Sequence, residues 1–321
     1  MLTKAIKDFP KQFEFEPEVQ NAGKLKKHSS YVIGGMGGSG LVAGILRALK
    51  PELDIAAHHE YGLPTFIDSK EKRLFIAISY SGNTEETISF FQEANKKKLP
   101  VAAITTGGKL LKLAKEKKVP YVKLPSTGIQ PRMSLGFMLR AALKLMAEEK
   151  LFKEAGELAK TLKPSEAEAL GKAFAKELRG KVPVIYSSRK NQALAYNWKI
   201  KFNETGKIPA FYNTFPELNH NEMTGFDVVD STRSLSGNIH VIILKDPDDD
   251  TRIKKRMKVL ENLYVDRYIP VSTVEIDAGG TLEKIFSTLI VGDWTAYYLA
   301  KHYSTEPEEV PMVEEFKKLI K

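Results

Sequence analysis

The sequence contains no cysteine, and this absence removes three kinds of chemistry at once. A chain without thiols forms no disulfide, offers no thiolate to a metal ion and has no thiol nucleophile. It also has no apolar run of the roughly 18 residues that are needed to cross a bilayer. The N-terminal stretch Met1–Asp8 lacks the apolar centre of a signal peptide, so we expect a cytoplasmic protein without a membrane partner.

Aromatic residues are scarce around the basic runs of the chain. The 49 lysines and arginines exceed the 40 acidic residues, which gives a formal net charge of +9 and favours anionic ligands in general. The runs Lys24–Lys27 and Lys254–Arg256 have no aromatic residue nearby, which is typical of solvated helix faces. Neither end of the sequence shows a helix-turn-helix with a basic recognition helix. We therefore expect no nucleic-acid partner.

Apolar segments of strand length alternate with amphipathic helical patterns along most of the 321 residues. This order is typical of parallel sheets that helices cover on both faces. The strands are predicted near 31–35, 53–58, 73–79, 101–105, 120–124, 182–187, 209–213, 239–245 and 270–276. The main helices are predicted over 84–98, from 132 onward, and over 151–162, 165–179, 192–204, 217–224, 249–263 and 281–302. Because the polar helices between 151 and 179 mark a seam, we predict an α/β protein of two domains, 1–150 and 151–321.

Two turns with the composition of an anion site follow strands of the first domain. The apolar run 74–78 is followed by Ser79-Tyr80-Ser81-Gly82-Asn83-Thr84, where a helical pattern begins. Short hydroxyl side chains, a glycine and the N–H groups at the positive end of a helix dipole suit an anion such as phosphate. The strand at 31–35 runs into a glycine-rich turn that ends in Ser39-Gly40. Two such turns at one sheet edge favour one small phosphorylated ligand.

The glycine-rich turn has a second interpretation. Gly35, Gly37 and Gly40 match the spacing of a dinucleotide-binding loop, and Glu60 follows about twenty residues later. A dinucleotide fold has no general need for a second phosphate-binding turn, so we favour the phosphorylated ligand and expect no cofactor. The adjacent histidines 58 and 59 lie on a predicted strand and point to opposite faces, which argues against a shared metal ion. We expect no metal site.

Four stretches of the sequence together resemble the sugar isomerase (SIS) domain and, more narrowly, the bifunctional phosphoglucose/phosphomannose isomerases. These stretches are Gly37–Gly40, Ser79–Thr87, Gln130–Arg132, and Lys201–Glu204 with Glu217–Glu222. The resemblance covers nearly the whole chain. It implies two SIS-type domains, each a three-layer, flavodoxin-like sandwich. It also implies an aldose–ketose isomerase that interconverts glucose 6-phosphate and fructose 6-phosphate, and also mannose 6-phosphate and fructose 6-phosphate.

The resemblance implies which residues bind the substrate. Ser79, Ser81 and Thr84 would bind the phosphate. Gly38 and Ser39 would contact the sugar near that turn. The partner of the protein is accordingly expected to be a small phosphorylated sugar.

The resemblance also implies which residues act on the reacting carbons. Arg132 would stabilise charge, Glu204 would act as the base, and His220 would open the sugar ring. In this family the histidine reaches the site from the partner subunit, so a homodimer is implied. The family uses a C-terminal lysine that matches Lys317, with residues 318 and 301 as alternative lysines. Seven residues before it the family has a threonine associated with accepting both epimers, where this chain has Val310.

These residue types fit the chemistry of isomerisation. The reaction passes through an enediolate, so it needs a base that reaches both carbons, a charge-stabilising group and an acid/base for ring opening. A carboxylate serves as the base when desolvation raises its pKa. By itself, a glutamate at a helix end such as Glu204 is typical of an exposed, salt-bridged residue, so its assignment depends on the family pattern. A non-catalytic sugar-phosphate sensor and an isomerase of another phosphosugar are the alternatives.

Overall fold

The computed structural model describes residues 1–67, 72–277 and 279–320, and the chain divides into two compact units. The N-terminal unit comprises Lys7–Leu162, and the C-terminal unit comprises Met1–Ile6 and Lys163–Lys321. In the described part of the chain, no helix is long and apolar enough to span a membrane.

The strands are β1 (Val19–Gln20), β2 (Ser30–Gly34), β3 (Asp54–His58), β4 (Leu74–Ile78), β5 (Val101–Thr105), β6 (Tyr121–Lys123), β7 (Val182–Ser188), β8 (Phe211–Phe215), β9 (Ile239–Lys245) and β10 (Val271–Glu275). The α-helices are α1 (Leu2–Lys7), α2 (Gly37–Leu49), α3 (Glu85–Lys96), α4 (Gly108–Glu116), α5 (Leu135–Leu145), α6 (Glu149–Thr161), α7 (Pro164–Glu177), α8 (Gln192–Glu204), α9 (Glu222–Gly225), α10 (Arg233–Ser236), α11 (Thr251–Val265), α12 (Thr281–His302) and α13 (Pro311–Leu319). Short 3₁₀ helices cover Phe9–Glu14, Ala22–Lys24, Pro131–Met133 and Glu217–His220.

The sheet of the N-terminal unit has the strand order β1-β6-β5-β4-β2-β3. Strands β2 to β6 are parallel, and β1 pairs with β6 in the antiparallel direction. The central strands β4 and β5 are buried along their whole length, which explains why they are continuous apolar runs in the sequence. The expected parallel α/β architecture is therefore confirmed. The sequence does not predict β1, because this strand has only two residues.

The sheet of the C-terminal unit has the order β10-β9-β7-β8, and all its strands are parallel. One face carries a core cluster that includes Tyr186, Phe215, Leu218 and Tyr264. The sequence predicts one helix over 217–224, whereas the structure has a 3₁₀ helix followed by the single turn of α9.

Helix α6 belongs to the N-terminal unit, although the sequence predicts a domain boundary at residue 150. It packs against α5 and against the 3₁₀ helix Phe9–Glu14. The buried Arg140 of α5 donates a hydrogen bond to the carbonyl of Phe152 over 2.5 Å, and its guanidinium lies 3.6 Å from the centroid of that ring. These contacts tie α6 to the first unit.

Candidate active site

The strand order of the N-terminal sheet reverses at β2. This strand pairs with β3 on one side and with β4 on the other. Because parallel crossovers are right-handed, the helices that follow β2 and β4 cover opposite faces and leave a crevice at the carboxyl ends of these strands. At this crevice lie the two turns that the sequence predicts to bind an anion, residues 34–40 and 79–84.

The turn after β4 forms a hydroxyl corner, a name we use for Ser79–Thr84. The Oγ of Ser79, a residue that is 1% exposed, lies 2.9 Å from the Oγ1 of Thr84 and accepts a hydrogen bond from the Gly82 N–H over 3.1 Å. The Oγ of the exposed Ser81 accepts from the Asn83 N–H over 3.3 Å. Thr84 precedes α3, but its side chain makes no capping hydrogen bond to that helix. The positive end of α3 is thus left uncapped by Thr84.

The glycine-rich turn is fastened to this corner through Ser39. The Oγ of Ser39 is buried and accepts a hydrogen bond from the backbone N–H of Tyr80 over 3.1 Å. Next to it, a Cβ atom at Gly38 would lie 2.6 Å from the backbone nitrogen of Arg132. A side chain at position 38 would therefore push the Arg132 turn away. Three of the four stretches that carry the family resemblance meet at this place.

Gly82 allows the hydroxyl corner to lie against the turn that follows β5. Its φ is +73°, and a Cβ atom there would lie 1.9 Å from the carbonyl oxygen of Gly107. The carbonyl of Gly82 accepts a hydrogen bond from the Leu110 N–H over 2.9 Å, and the Tyr80 carbonyl accepts from Thr106. Backbone contacts with the turn after β5 therefore hold the hydroxyl corner in place, and they require a glycine at position 82.

Arg132 is 3% exposed and lies in the 3₁₀ turn before α5. A buried Gln12 holds this turn. Its Nε2 donates to the carbonyl of Met133 over 2.6 Å, and its Oε1 accepts from the Gly136 N–H over 3.1 Å. The Oγ of Ser134 donates to the Pro131 carbonyl over 2.7 Å. No motif marks Gln12 in the sequence, because its partners lie more than a hundred residues away.

In the C-terminal unit, Glu204 is the half-buried last residue of α8. One turn earlier, the buried Lys201 makes an ion pair of 2.5 Å with Asp293 of α12, which fixes the end of α8. The Lys207 Nζ donates to the carbonyl of Glu204 and also to that of Glu309. The segment that leads to Val310 and α13 therefore lies beside the end of α8.

His220 is exposed and ends the 3₁₀ helix that follows β8. The fully buried Leu218 anchors this segment in the core. Glu222 ties it to the sheet, because its carboxylate accepts hydrogen bonds from the hydroxyl of Tyr186 over 2.5 Å and from Nδ2 of Asn213. The segment that presents His220 is thus held from both sides.

Strand β8 separates Glu204 from His220 within the C-terminal unit. Glu204 ends the helix before the strand, and His220 follows the strand. The two residues therefore lie beyond opposite ends of β8, whose five residues span about 16 Å at about 3.3 Å per residue. Lys317 lies on α13, where its Nζ pairs with Glu314 over 2.7 Å. No cluster of three or more potential metal ligands occurs among the described residues.

Comparison with known proteins gives three findings. Residues 167–320 match the family model of the bacterial phospho-glucose isomerase C-terminal SIS domain. The bifunctional phosphoglucose/phosphomannose isomerase of Thermoplasma volcanium is 37% identical over 92% of this chain and 93% of its own length, and that of Caldicellulosiruptor bescii is 32% identical over 95% and 93%. The crystal structure of glucosamine-6-phosphate deaminase from Thermotoga maritima has the same fold, with a TM-score of 0.71, 17% identity and 97% coverage of both chains.

Proposed function

This chain belongs to the family of bifunctional phosphoglucose/phosphomannose isomerases, and we propose that its hydroxyl corner holds the phosphate of the hexose phosphates that it interconverts. The substrates are glucose 6-phosphate, mannose 6-phosphate and fructose 6-phosphate. The observation that carries this function is the corner itself: converging hydroxyls of Ser79 and Thr84, beside the uncapped positive end of α3, at the strand reversal of the sheet.

Phosphate binding supplies energy far from the reacting carbons. Hydroxyl donors from Ser79, Ser81 and Thr84 suit a dianionic phosphate, and Gly38 and Ser39 are assigned to the sugar next to it. Binding energy at this remote group holds carbons 1 and 2 in place for proton transfer. This assignment is supported by the hydrogen bond that fastens Ser39 to the corner.

Glu204 is assigned as the base. It removes the proton from C2 of the aldose and returns it to C1, while a hydroxyl proton moves from O2 to O1. The enediolate that forms between these steps carries negative charge, and the guanidinium of Arg132 is assigned to stabilise it. The ion pair between Lys201 and Asp293 supports this role of Glu204, because it fixes the helix end that carries the carboxylate.

His220 is assigned to ring opening in a second copy of the chain. The separation of Glu204 and His220 by the length of β8 supports this assignment, since one sugar is too small to contact residues at both ends of the strand. In a homodimer, each site can combine Glu204 of one copy with His220 of the other. Lys317 is the further cationic group assigned to the site, and the approach of residue Glu309 to the end of α8 supports it.

A pair of serine variants tests the phosphate assignment. The hydroxyl of Ser81 is exposed and, among the residues that the structure describes, hydrogen-bonds only to the backbone N–H of Asn83. Ser81→Ala should therefore lower kcat/KM for fructose 6-phosphate by about tenfold or more while leaving Tm unchanged. Ser79→Ala should lower both kcat/KM and Tm, because the buried Ser79 hydroxyl also contacts the Thr84 hydroxyl and shares the Gly82 N–H with the Ser79 carbonyl.

Ser234→Ala is the matched control, since this exposed serine lies outside the corner. The measurement is a coupled assay in both directions, with thermal melting of each variant. Unchanged kcat/KM in Ser81→Ala, or an equal loss in Ser234→Ala, contradicts phosphate binding at the hydroxyl corner. A protein that converts none of the three hexose phosphates contradicts the function as a whole.

A further inference from the structure

Helices α7 and α12 of the C-terminal unit run side by side in the same direction. The indole N–H of Trp294 donates to the carbonyl of Pro164 at the start of α7, and the hydroxyl of Tyr298 donates to Glu168 one turn later, each over 2.7 Å. Beyond the helices, the Gly180 N–H donates to the hydroxyl of Tyr303 over 2.7 Å. Both helices therefore end at the same place.

A cavity of about 220 Å³ lies between these two helix ends. The buried Ala175 and the half-buried Tyr298 form its apolar lining. The remaining lining residues are all basic, namely Lys172, Lys176, Arg179, Lys301 and His302. We call this cavity the basic pocket.

The basic side chains of this pocket have no acidic partner in the described part of the chain. The nearby carboxylates are engaged elsewhere: Glu168 accepts from Tyr298, and Glu177 accepts from the hydroxyl of Ser272 over 2.7 Å. The only recorded contact of the Lys172 ammonium among the described residues is the ring of Tyr298, whose centroid is 5.7 Å away. The Glu168 carboxylate keeps its negative charge in this hydrogen bond, so it offsets about one positive charge beside Lys172.

Helix dipoles do not account for so many cations. Basic residues at a helix end complement the negative end of the dipole, which amounts to about half an elementary charge for each helix. Two helix ends together therefore compensate about one charge. Four formal charges from lysine and arginine line the pocket, with His302 in addition. With Glu168 counted as well, an excess of about two positive charges remains on exposed side chains, and a bound anion would relieve their mutual repulsion.

We propose that the basic pocket binds a small anion with several negative charges on phosphate groups, such as a pyrophosphate or bisphosphate group. The guanidinium of Arg179 and the ammonium groups of Lys172, Lys176 and Lys301 provide the donors that phosphate oxygens accept. A nucleic acid fits less well, because it needs an extended basic groove with several aromatic side chains, and this pocket is compact with a single tyrosine. The site is separate from the hydroxyl corner, which lies in the other unit.

Calorimetric titration of the full-length protein with inorganic pyrophosphate tests this proposal. The wild type should bind pyrophosphate in the presence of saturating fructose 6-phosphate, since the hydroxyl corner is then occupied. Lys176→Ala/Arg179→Ala should weaken this binding by about tenfold or more. Lys153→Ala/Lys255→Ala removes the same charge from exposed sites outside the pocket and should change it less than about twofold.

Three results overturn the proposal. One is the absence of pyrophosphate binding to the wild type at low salt. Another is an equal loss of affinity in the two double variants, which indicates a general charge effect. The third is tighter binding of a single-stranded oligonucleotide that the Lys176→Ala/Arg179→Ala change abolishes. Isomerase activity and melting of each variant are measured alongside, so that failure of the active site or of the fold is recognised separately.

Discussion

His240 is a buried histidine on β9, 5% exposed, and its environment favours the neutral ring. Its Nε2 lies 2.7 Å from the hydroxyl of Ser272, which in turn donates to Glu177, while its Nδ1 is buried without a hydrogen-bond partner in the described residues. Burial lowers the pKa of His240 below the ordinary value of 6.5, with Glu177 opposing and Lys181 supporting this shift. The ring therefore resists protonation in the folded state.

This burial predicts a loss of stability in mild acid. Below pH 6.5 the unfolded chain binds a proton at position 240 that the folded chain does not, so the free energy of unfolding decreases as the pH falls. Above that pH the ring is neutral in both states and the penalty is absent. The amide of glutamine can still reach Ser272. His240→Gln should therefore reduce the slope of the unfolding free energy against pH by up to the value for one bound proton, about 1.4 kcal/mol per pH unit.

Urea unfolding between about pH 8 and about pH 5 measures this slope, and His220→Gln is the control at an exposed histidine outside the basic pocket. The desolvated His58 on β3 contributes its own slope, because burial also lowers its pKa, and this contribution stays in both variants. An unchanged pH dependence in His240→Gln contradicts the argument.

The residues that build the candidate site differ in how far the sequence reveals them. The hydroxyls of Ser79, Ser81 and Thr84 are visible because they are contiguous and stand between a strand and a helix. Gln12 has no such signal, since its hydrogen bonds to Met133 and the start of α5 depend on the folded chain. Side chains that act through local spacing can thus be predicted, and those that act through long-range contacts cannot.

Among the helices and strands, too, those set by local sequence pattern can be predicted, whereas those set by long-range contacts cannot. The buried strands β4 and β5 follow directly from their apolar runs. The segment 217–224 is predicted as one helix, but the side chain of Asn221 accepts a hydrogen bond from the Glu222 N–H and starts a new turn there. Glu222 is then drawn to Tyr186 and Asn213 on the sheet. Tertiary hydrogen bonds override helix propensity at this point.

Glu222 is accordingly expected to position His220. In Glu222→Gln one oxygen acceptor becomes an amide donor, so Tyr186 or Asn213 loses its partner and the segment loosens. We expect kcat to fall by about tenfold. Glu217 lies in the same segment, is exposed, and within the described ranges has Asn221 as its only side-chain partner, so Glu217→Gln should change kcat less than about twofold.

A double-mutant cycle separates positioning from general damage. If Glu222 acts through His220, then Glu222→Gln should cause no further loss of kcat in a His220→Ala background. The steady-state assay with fructose 6-phosphate measures all four forms. The same fold loss in both backgrounds contradicts a positioning role for Glu222.

The whole molecule sets a constraint that no single element reveals. Residues 1–6 belong to the C-terminal unit, where Leu2 and Ile6 are buried, although they stand at the start of the chain. The strand and helix patterns predict two α/β units, but they do not show this return of the N-terminus or the place of α6. In the C-terminal unit, β8 lies between Glu204 and His220, and this topology supports the proposal, first implied by the family resemblance, that two copies share their sites.

Mixing two variants of very low activity tests this account most directly. Glu204→Gln should abolish isomerisation of fructose 6-phosphate, and His220→Ala should leave about one hundredth of it, which the double-mutant cycle can still measure. In a twofold-symmetric dimer with shared sites, a mixed dimer has one site that keeps both residues, so an equal mixture should regain about one quarter of the wild-type activity after subunit exchange. Mixed dimers that form, as native mass spectrometry shows, yet remain inactive would contradict it.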